Sequence, residues 1–210
     1  ATVGKPLPLN KLSDIVRKEI AMSGWTEALT MSLCSHDESF KLLRREDKGD
    51  EAVLLTKPQS MENQMCRTLL LPGLLKTIRE NKKHPNPIKV FEVSDVVFKV
   101  PGLECGAKNQ RHACALYSSD EARFEVIQGL LDALMQSLNV AHKRERLGYR
   151  LVAAENPTYL PGRAANVVYT DEAGVALVLG SIGIIHPEVL AGFELKNPIS
   201  SFEINIEPFL

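Results

Sequence analysis

The sequence predicts an α+β fold, a mostly antiparallel sheet flanked by helices, on three observations. Strand-like stretches come in runs, as at Ile88–Val93, Asp95–Val100 and His112–Tyr117, instead of alternating strictly with helices. Apolar residues recur at helical spacing, most clearly at Phe124, Ile127, Leu131, Leu134 and Leu138. Neither G-x-x-x-x-G-K-[ST] nor G-x-G-x-x-G occurs, so the phosphate loops that accompany many doubly wound parallel sheets are missing.

Each element follows in order. Residues 1–8 are proline-rich and aperiodic and read as a linker; residues 9–210 read as one domain. Asn10 is a plausible N-cap for a helix whose Leu12, Ile15, Val16 and Ile20 share a face and which Gly24 stops. Trp25, Leu29, Met31 and Leu33 alternate with polar residues, the period of a half-buried strand. Ser35 to Glu38 has the capping-box pattern and opens a short helix to about Arg44. A solvated turn, a short strand at Ala52–Thr56 and a polar loop lead to a helix over Leu69–Lys82. Pro72 is tolerated in its first turn, where a missing N–H has no partner to lose. After the strands near 88–117, the helix Asp120–Asn139 precedes strands near Tyr149–Ala153, Ala165–Tyr169 and Val175–Gly183, with Asp171 to Gly174 as a hairpin turn. His186-Pro187-Glu188 begins a short helix, and Ser201–Ile206 is the final strand.

Composition narrows the function classes. The 210 residues carry 25 basic and 26 acidic side chains, a formal charge of −1, with 44% hydrophobic residues. That balance argues against a nucleic-acid coat, an acidic tail or a disordered segment. No apolar run approaches the roughly 18–20 residues of a membrane span, and no signal pattern opens the chain, so a cytoplasmic protein without membrane contact is expected. Cys34, Cys66, Cys105 and Cys114 are widely spaced, with no C-x-x-C pair, and read as free thiols; the scattered histidines offer no local metal site.

Three segments carry a family resemblance: Arg67-Thr68-Leu69-Leu70-Leu71-Pro72-Gly73-Leu74-Leu75 with Val90-Phe91-Glu92-Val93; Pro161-Gly162-Arg163-Ala164-Ala165; and Gly180 to Leu190, including His186-Pro187-Glu188-Val189, with Phe202-Glu203-Ile204-Asn205-Ile206. In order and content they resemble the C-terminal core domain of the phenylalanyl-tRNA synthetase β subunit, in its archaeal and eukaryotic cytosolic form. Pro8 to Leu12 and Gly24 to Ala28 resemble it too. The resemblance implies a class II synthetase-like module that is not itself catalytic. Its partner would be a catalytic α subunit in an α2β2 enzyme that charges tRNA(Phe), using ATP and magnesium in the complete enzyme; no cofactor is expected in this chain.

The residue types bear on that implication. A class II site needs cations on the ATP phosphates. Where the family of active enzymes carries Arg-x-Glu, the resemblance places Phe98-Lys99-Val100, and the final strand has neither the glycines nor the arginine of an active site. An aromatic ring cannot replace a planar bidentate cation. Arg67 is expected to form an ion pair across a subunit boundary. Arg163, after Pro161-Gly162 at a strand start, either lines a pocket or pairs with a neighbouring acid, the second being favoured. Pro72 and Gly73 in the helix start, and Leu12, Ile15 and Trp25 in the first helix and its junction, are the expected structural or interface residues, because that unit resembles the dimer-forming motif of class II enzymes.

A nucleic-acid role rests on Lys76 to Lys89, where five basic residues face one acid, with Arg79, Lys82 and Lys83 as the tRNA-contact candidates. A smaller cluster lies at His142 to Arg146. Neither is interleaved with aromatics for base stacking, and a solvated helix end is the blander reading. Two alternatives differ in class: an independent ligase with an unrecognised ATP site, and a free-standing RNA-binding or regulatory paralogue of the module.

Overall fold

A computed structural model describes residues 4–142, 148–171 and 173–210. The basic cluster at 143–146 and Glu172 of the anticipated hairpin turn lie outside the described residues.

The first helix, α1 (Pro8–Met22), begins on a proline that loses no hydrogen bond there and buries Leu12, Val16 and Ile20 at helical spacing. Ile15 departs from the expected stripe and faces solvent. The anticipated strand after it is mostly absent. Only β1 (Thr26–Glu27) pairs, in parallel with β4, and β2 (Leu33–Cys34) joins a separate ribbon with β3 (Met65–Cys66). Between them Leu29 and Met31 are exposed, because the Thr30 side chain and N–H turn inward to a carboxylate and not to a strand ladder.

The capping box at Ser35 and Glu38 forms and opens only one turn, α2 (His36–Ser39), followed by a 3-10 turn that Arg44 ends in the left-handed region. The expected strand at Ala52–Thr56 reduces to one bridge, Leu54 to Met65. Helix α3 (Leu71–Glu80) buries Leu71, Leu74, Leu75 and Ile78. The two strands expected at 88–100 are one, β4 (Ile88–Lys99), paired along its whole length with β5 (Ala107–Ser118). Ser94 did not interrupt it, because a strand buried on both faces needs no alternation.

Helix α4 (Phe124–Ser137) buries Ile127, Leu131 and Leu134 of its predicted stripe. Then come β6 (Gly148–Ala153), β7 (Tyr159–Thr170), β8 (Ala176–Ile185), α5 (Pro187–Gly192) and β9 (Ile199–Asn205). Strand β7 starts six residues earlier than the sequence suggests. Pro161-Gly162 therefore lies inside it, at a register shift between Tyr159 and Ala164, with Gly162 at φ +71° supplying the irregular turn. His186 caps α5, its Nδ1 accepting the Glu188 N–H at 3.1 Å.

The seven strands run β1-β4-β5-β9-β8-β7-β6, with β1–β4 parallel and the other neighbours antiparallel. One face of the sheet packs α1 and α4 over Phe91, Val93, Ala113, Ala115, Phe202 and Ile204. The other packs α3 and α5 over Val90, Val96, Cys114, Leu116 and Ile199. Each fully buried aliphatic side chain contributes about 1.5–3 kcal/mol from leaving water. No helix among the described residues is long and apolar enough to cross a membrane.

Candidate functional site

Buried polar groups gather on the sheet face beneath α3. Strands β4, β5 and β9 are in register so that Glu92, Cys114 and Glu203 lie side by side across three neighbours. An apolar strand would ordinarily exclude two carboxylates, since an unpaired buried charge is costly. Each is therefore matched. Glu92 accepts from Arg67 Nη1 at 2.9 Å, from Thr30 Oγ1 at 2.7 Å and from Thr30 N at 3.3 Å. Arg67 also donates Nε to the Asp95 carbonyl at 3.0 Å and Nη1 to Thr30 Oγ1 at 2.9 Å. The side chains of Arg67 and Glu92 are 7% and 1% exposed. Arg67 thus closes an internal pair, correcting the expectation of a bridge across a subunit boundary.

Glu203 accepts the N–H groups of Leu70 at 2.9 Å and Leu71 at 3.0 Å, two donors at the start of α3 that the helix itself cannot satisfy. Its negative charge also sits at the favourable end of the helix dipole. The His112 ring lies between Glu203 and Gln110, with Nδ1 2.9 Å from Glu203 Oε1 and Nε2 2.9 Å from Gln110 Oε1.

Cys114, His112 and Glu203 have the residue types of a nucleophilic triad but not its electrostatics. Burial pushes the Cys114 thiol well above its ordinary value, and the Glu203 and Glu92 carboxylates push it further. The thiolate is the nucleophile, so this sulfur is inert. Tyr159 on the same face is held neutral, burial raising its phenol to about 12. Among the described residues no three His, Cys, Asp or Glu side chains gather as a metal-ligand set.

The network runs to the surface at one edge. Strand β1 has β4 as its one neighbour in the sheet. Ala28 N–H goes to the Phe91 carbonyl and Thr30 N–H to Glu92, while the intervening Leu29 is 79% exposed and Met31 75%. These two apolar side chains line a groove with Leu33, Pro72, Gly73 and Lys76 of α3. Gly73 is required there, since a Cβ would strike the Thr30 side chain.

The other anticipated residues are dispersed. Leu12 and Trp25 are buried in the core, Trp25 with its ring 6.3 Å from that of Tyr117, and only Ile15 of that set is exposed. Pro161, Gly162 and Arg163 are exposed on β7, which three strands separate from β4, the strand of Arg67's partner Glu92, in the order β4-β5-β9-β8-β7. Arg79 pairs with Glu80 at 2.9 Å and Lys82 approaches Glu194 at 3.8 Å, while Lys83 is exposed. Phe98 packs beside His112, ring centroids 6.0 Å apart. Sequence reasoning assigned no role to Glu92 or Glu203. The signal was a lone acid inside V-F-E-V and F-E-I-N, apolar on both sides and so destined for burial.

The fold is similar to that of a solved aminoacyl-tRNA synthetase. The solved pyrrolysyl tRNA synthetase of Desulfitobacterium hafniense superposes with a TM-score of 0.74 over 96% of this chain and 67% of that one, at 15% identity. Sequence decides the lineage: the profile described as phenylalanyl tRNA synthetase beta chain CLM domain matches residues 1–206, and the chain belongs to that family. Among its relatives are the phenylalanine–tRNA ligase beta subunits of Caenorhabditis elegans (46% identical, covering 100% of this chain) and Saccharomyces cerevisiae (44%, covering 99%). The chain spans about a third of those relatives, 35% and 36% of their lengths.

Proposed function

We propose that this chain is the non-catalytic class II-like core module of a phenylalanine–tRNA ligase β subunit. It scaffolds the catalytic α subunit within a cytoplasmic α2β2 enzyme that joins phenylalanine to tRNA(Phe) using ATP and magnesium. The names of the relatives support the subunit assignment, and the Arabidopsis thaliana relative is named as cytoplasmic.

The edge carries the scaffold role: Leu29 and Met31 stand exposed beside the outermost strand, on a segment fixed from within by Glu92 and Arg67. Exposed apolar side chains on an ordered, pre-shaped segment favour association because little ordering cost remains on binding. Ile15 on α1 adds a further exposed apolar contact for the α subunit. Adenylation in this chain is disfavoured by the chemistry of the sheet face behind that edge. That face holds two buried carboxylates, Glu92 and Glu203, and its Arg67 guanidinium is already paired with Glu92, so it is not free to hold a polyphosphate.

The decisive test is Leu29→Asp with Met31→Asp in a full-length β subunit co-expressed with α. Sedimentation should show loss of the heterotetramer, while thermal unfolding of the substituted β subunit stays within about 0.5 kcal/mol of the parent, as surface changes do. An intact tetramer would remove the edge from the interface. Phenylalanine-dependent pyrophosphate exchange by the isolated chain, abolished by Lys99→Ala, would overturn the non-catalytic reading.

A further inference from the structure

A half-enclosed pocket of about 200 Å³ lies where the C-terminal ends of α3 and α5 meet the start of β4 and the end of β5. Its floor is apolar, from the buried Ile78, Ile88 and Leu195. It is also lined by Lys82, His84 and Lys196, by the amide of Asn197, and by Asn86, whose Nδ2 donates to Asp120 at 2.7 Å. Of the basic run at 76–89, Lys76 and Arg79 are taken by Glu38 and Glu80 and Lys82 approaches Glu194, so of the lysines lining the pocket Lys196 is the one without an ion-pair partner among the described residues.

One acid, Glu194, also lines the pocket, and its backbone is unusual. It follows α5 in the left-handed region at φ +57°, the position that closes a helix and ordinarily takes glycine or asparagine. A glutamate there carries the strain of a Cβ that glycine avoids. What it brings is a carboxylate on the pocket wall, 3.8 Å from Lys82, able to accept hydrogen bonds from a ligand's amine or hydroxyl groups.

We infer that this pocket binds a nucleotide, with the base on the apolar floor beside His84 and the phosphate at Lys82 and Lys196. The volume lies below the range of whole drug-sized sites, which suits one ring system with its charged group left outside. An apolar floor, an amide for a base edge, an imidazole beside it and cations at the rim are elements by which proteins hold a single unstacked nucleotide. The nucleotide is either free or one unit of single-stranded RNA. This inference is independent of the α-subunit edge.

The test is an NMR titration of the full chain with inorganic phosphate, each of the four nucleoside monophosphates, and short single-stranded homopolymer RNAs. Amide shifts confined to Lys82–Asn86 and Glu194–Asn197 on adding a monophosphate identify a free-nucleotide site; the same shifts with RNA alone identify an RNA site. Lys196→Glu, an exposed substitution that spares the core, should weaken either by about tenfold or more, the loss of one charge-assisted contact. Phosphate binding as tightly as the nucleotides, affinity unchanged by Lys196→Glu, or no local shifts with any ligand would each overturn it.

Discussion

At the scale of residues, the Arg67–Glu92 pair shows how a charge can be stable inside a sheet. The carboxylate accepts three hydrogen bonds, and the guanidinium spreads its donors over Glu92, Thr30 and a backbone carbonyl. Arg67→Met strands Glu92 without its cation and should cost about 3–5 kcal/mol in urea unfolding, whereas replacing both partners with apolar residues should cost much less. Equal losses in the single and double variants would deny the pair its role. Little of this was legible in the sequence. Arg67 stood out from its motif, but its partner lies 25 positions away on β4, and residue type alone does not say whether an arginine faces a neighbouring subunit or its own core. Leu29 and Met31 misled for the same reason: their period matched a half-buried strand, yet a side-chain bond from Thr30 displaced the ladder.

At the scale of elements, α3 is fastened at both flanks of its first turn. Glu203 takes its leading N–H groups, and Gly73 admits Thr30 against the helix. Gly73→Ala should destabilise the fold by about 1–3 kcal/mol, because Thr30 is held by Glu92 and cannot easily withdraw. Hydrogen exchange at Thr30 and Leu70 should accelerate together; unaltered exchange at Thr30 would show that the helix moves instead. Helices α1 and α4 and the long strands were readable because their apolar periodicity directly reflects one packed face. The short elements between residues 26 and 66 were not, since two-residue strands and single turns are set by distant partners and leave too few residues for a period.

At the scale of the whole molecule, buried phenols make stability depend on alkaline pH. Burial raises Tyr159 from 10.0 to about 12 and shifts Tyr149, bonded to Asp132, in the same direction. A raised folded-state value means the neutral phenol is favoured in the fold. Its contribution is complete below pH 10 and is lost as pH rises through about 12, roughly 2–3 kcal/mol for Tyr159. Denaturant unfolding across that window should show the decline, and Tyr159→Phe should lessen it; a flat profile for the parent would contradict the assignment. The strand order has a consequence for synthesis. Strand β9, last in sequence of the nine among the described residues, occupies the middle of the sheet between β5 and β8 and delivers Glu203 to a helix more than 130 residues upstream. While a ribosome still holds residues 199–205, the nascent chain has two half-sheets with facing open edges and no carboxylate to close α3. This module therefore joins into one body only after its final strand emerges, and until then both half-sheets present open edges to any neighbouring chain.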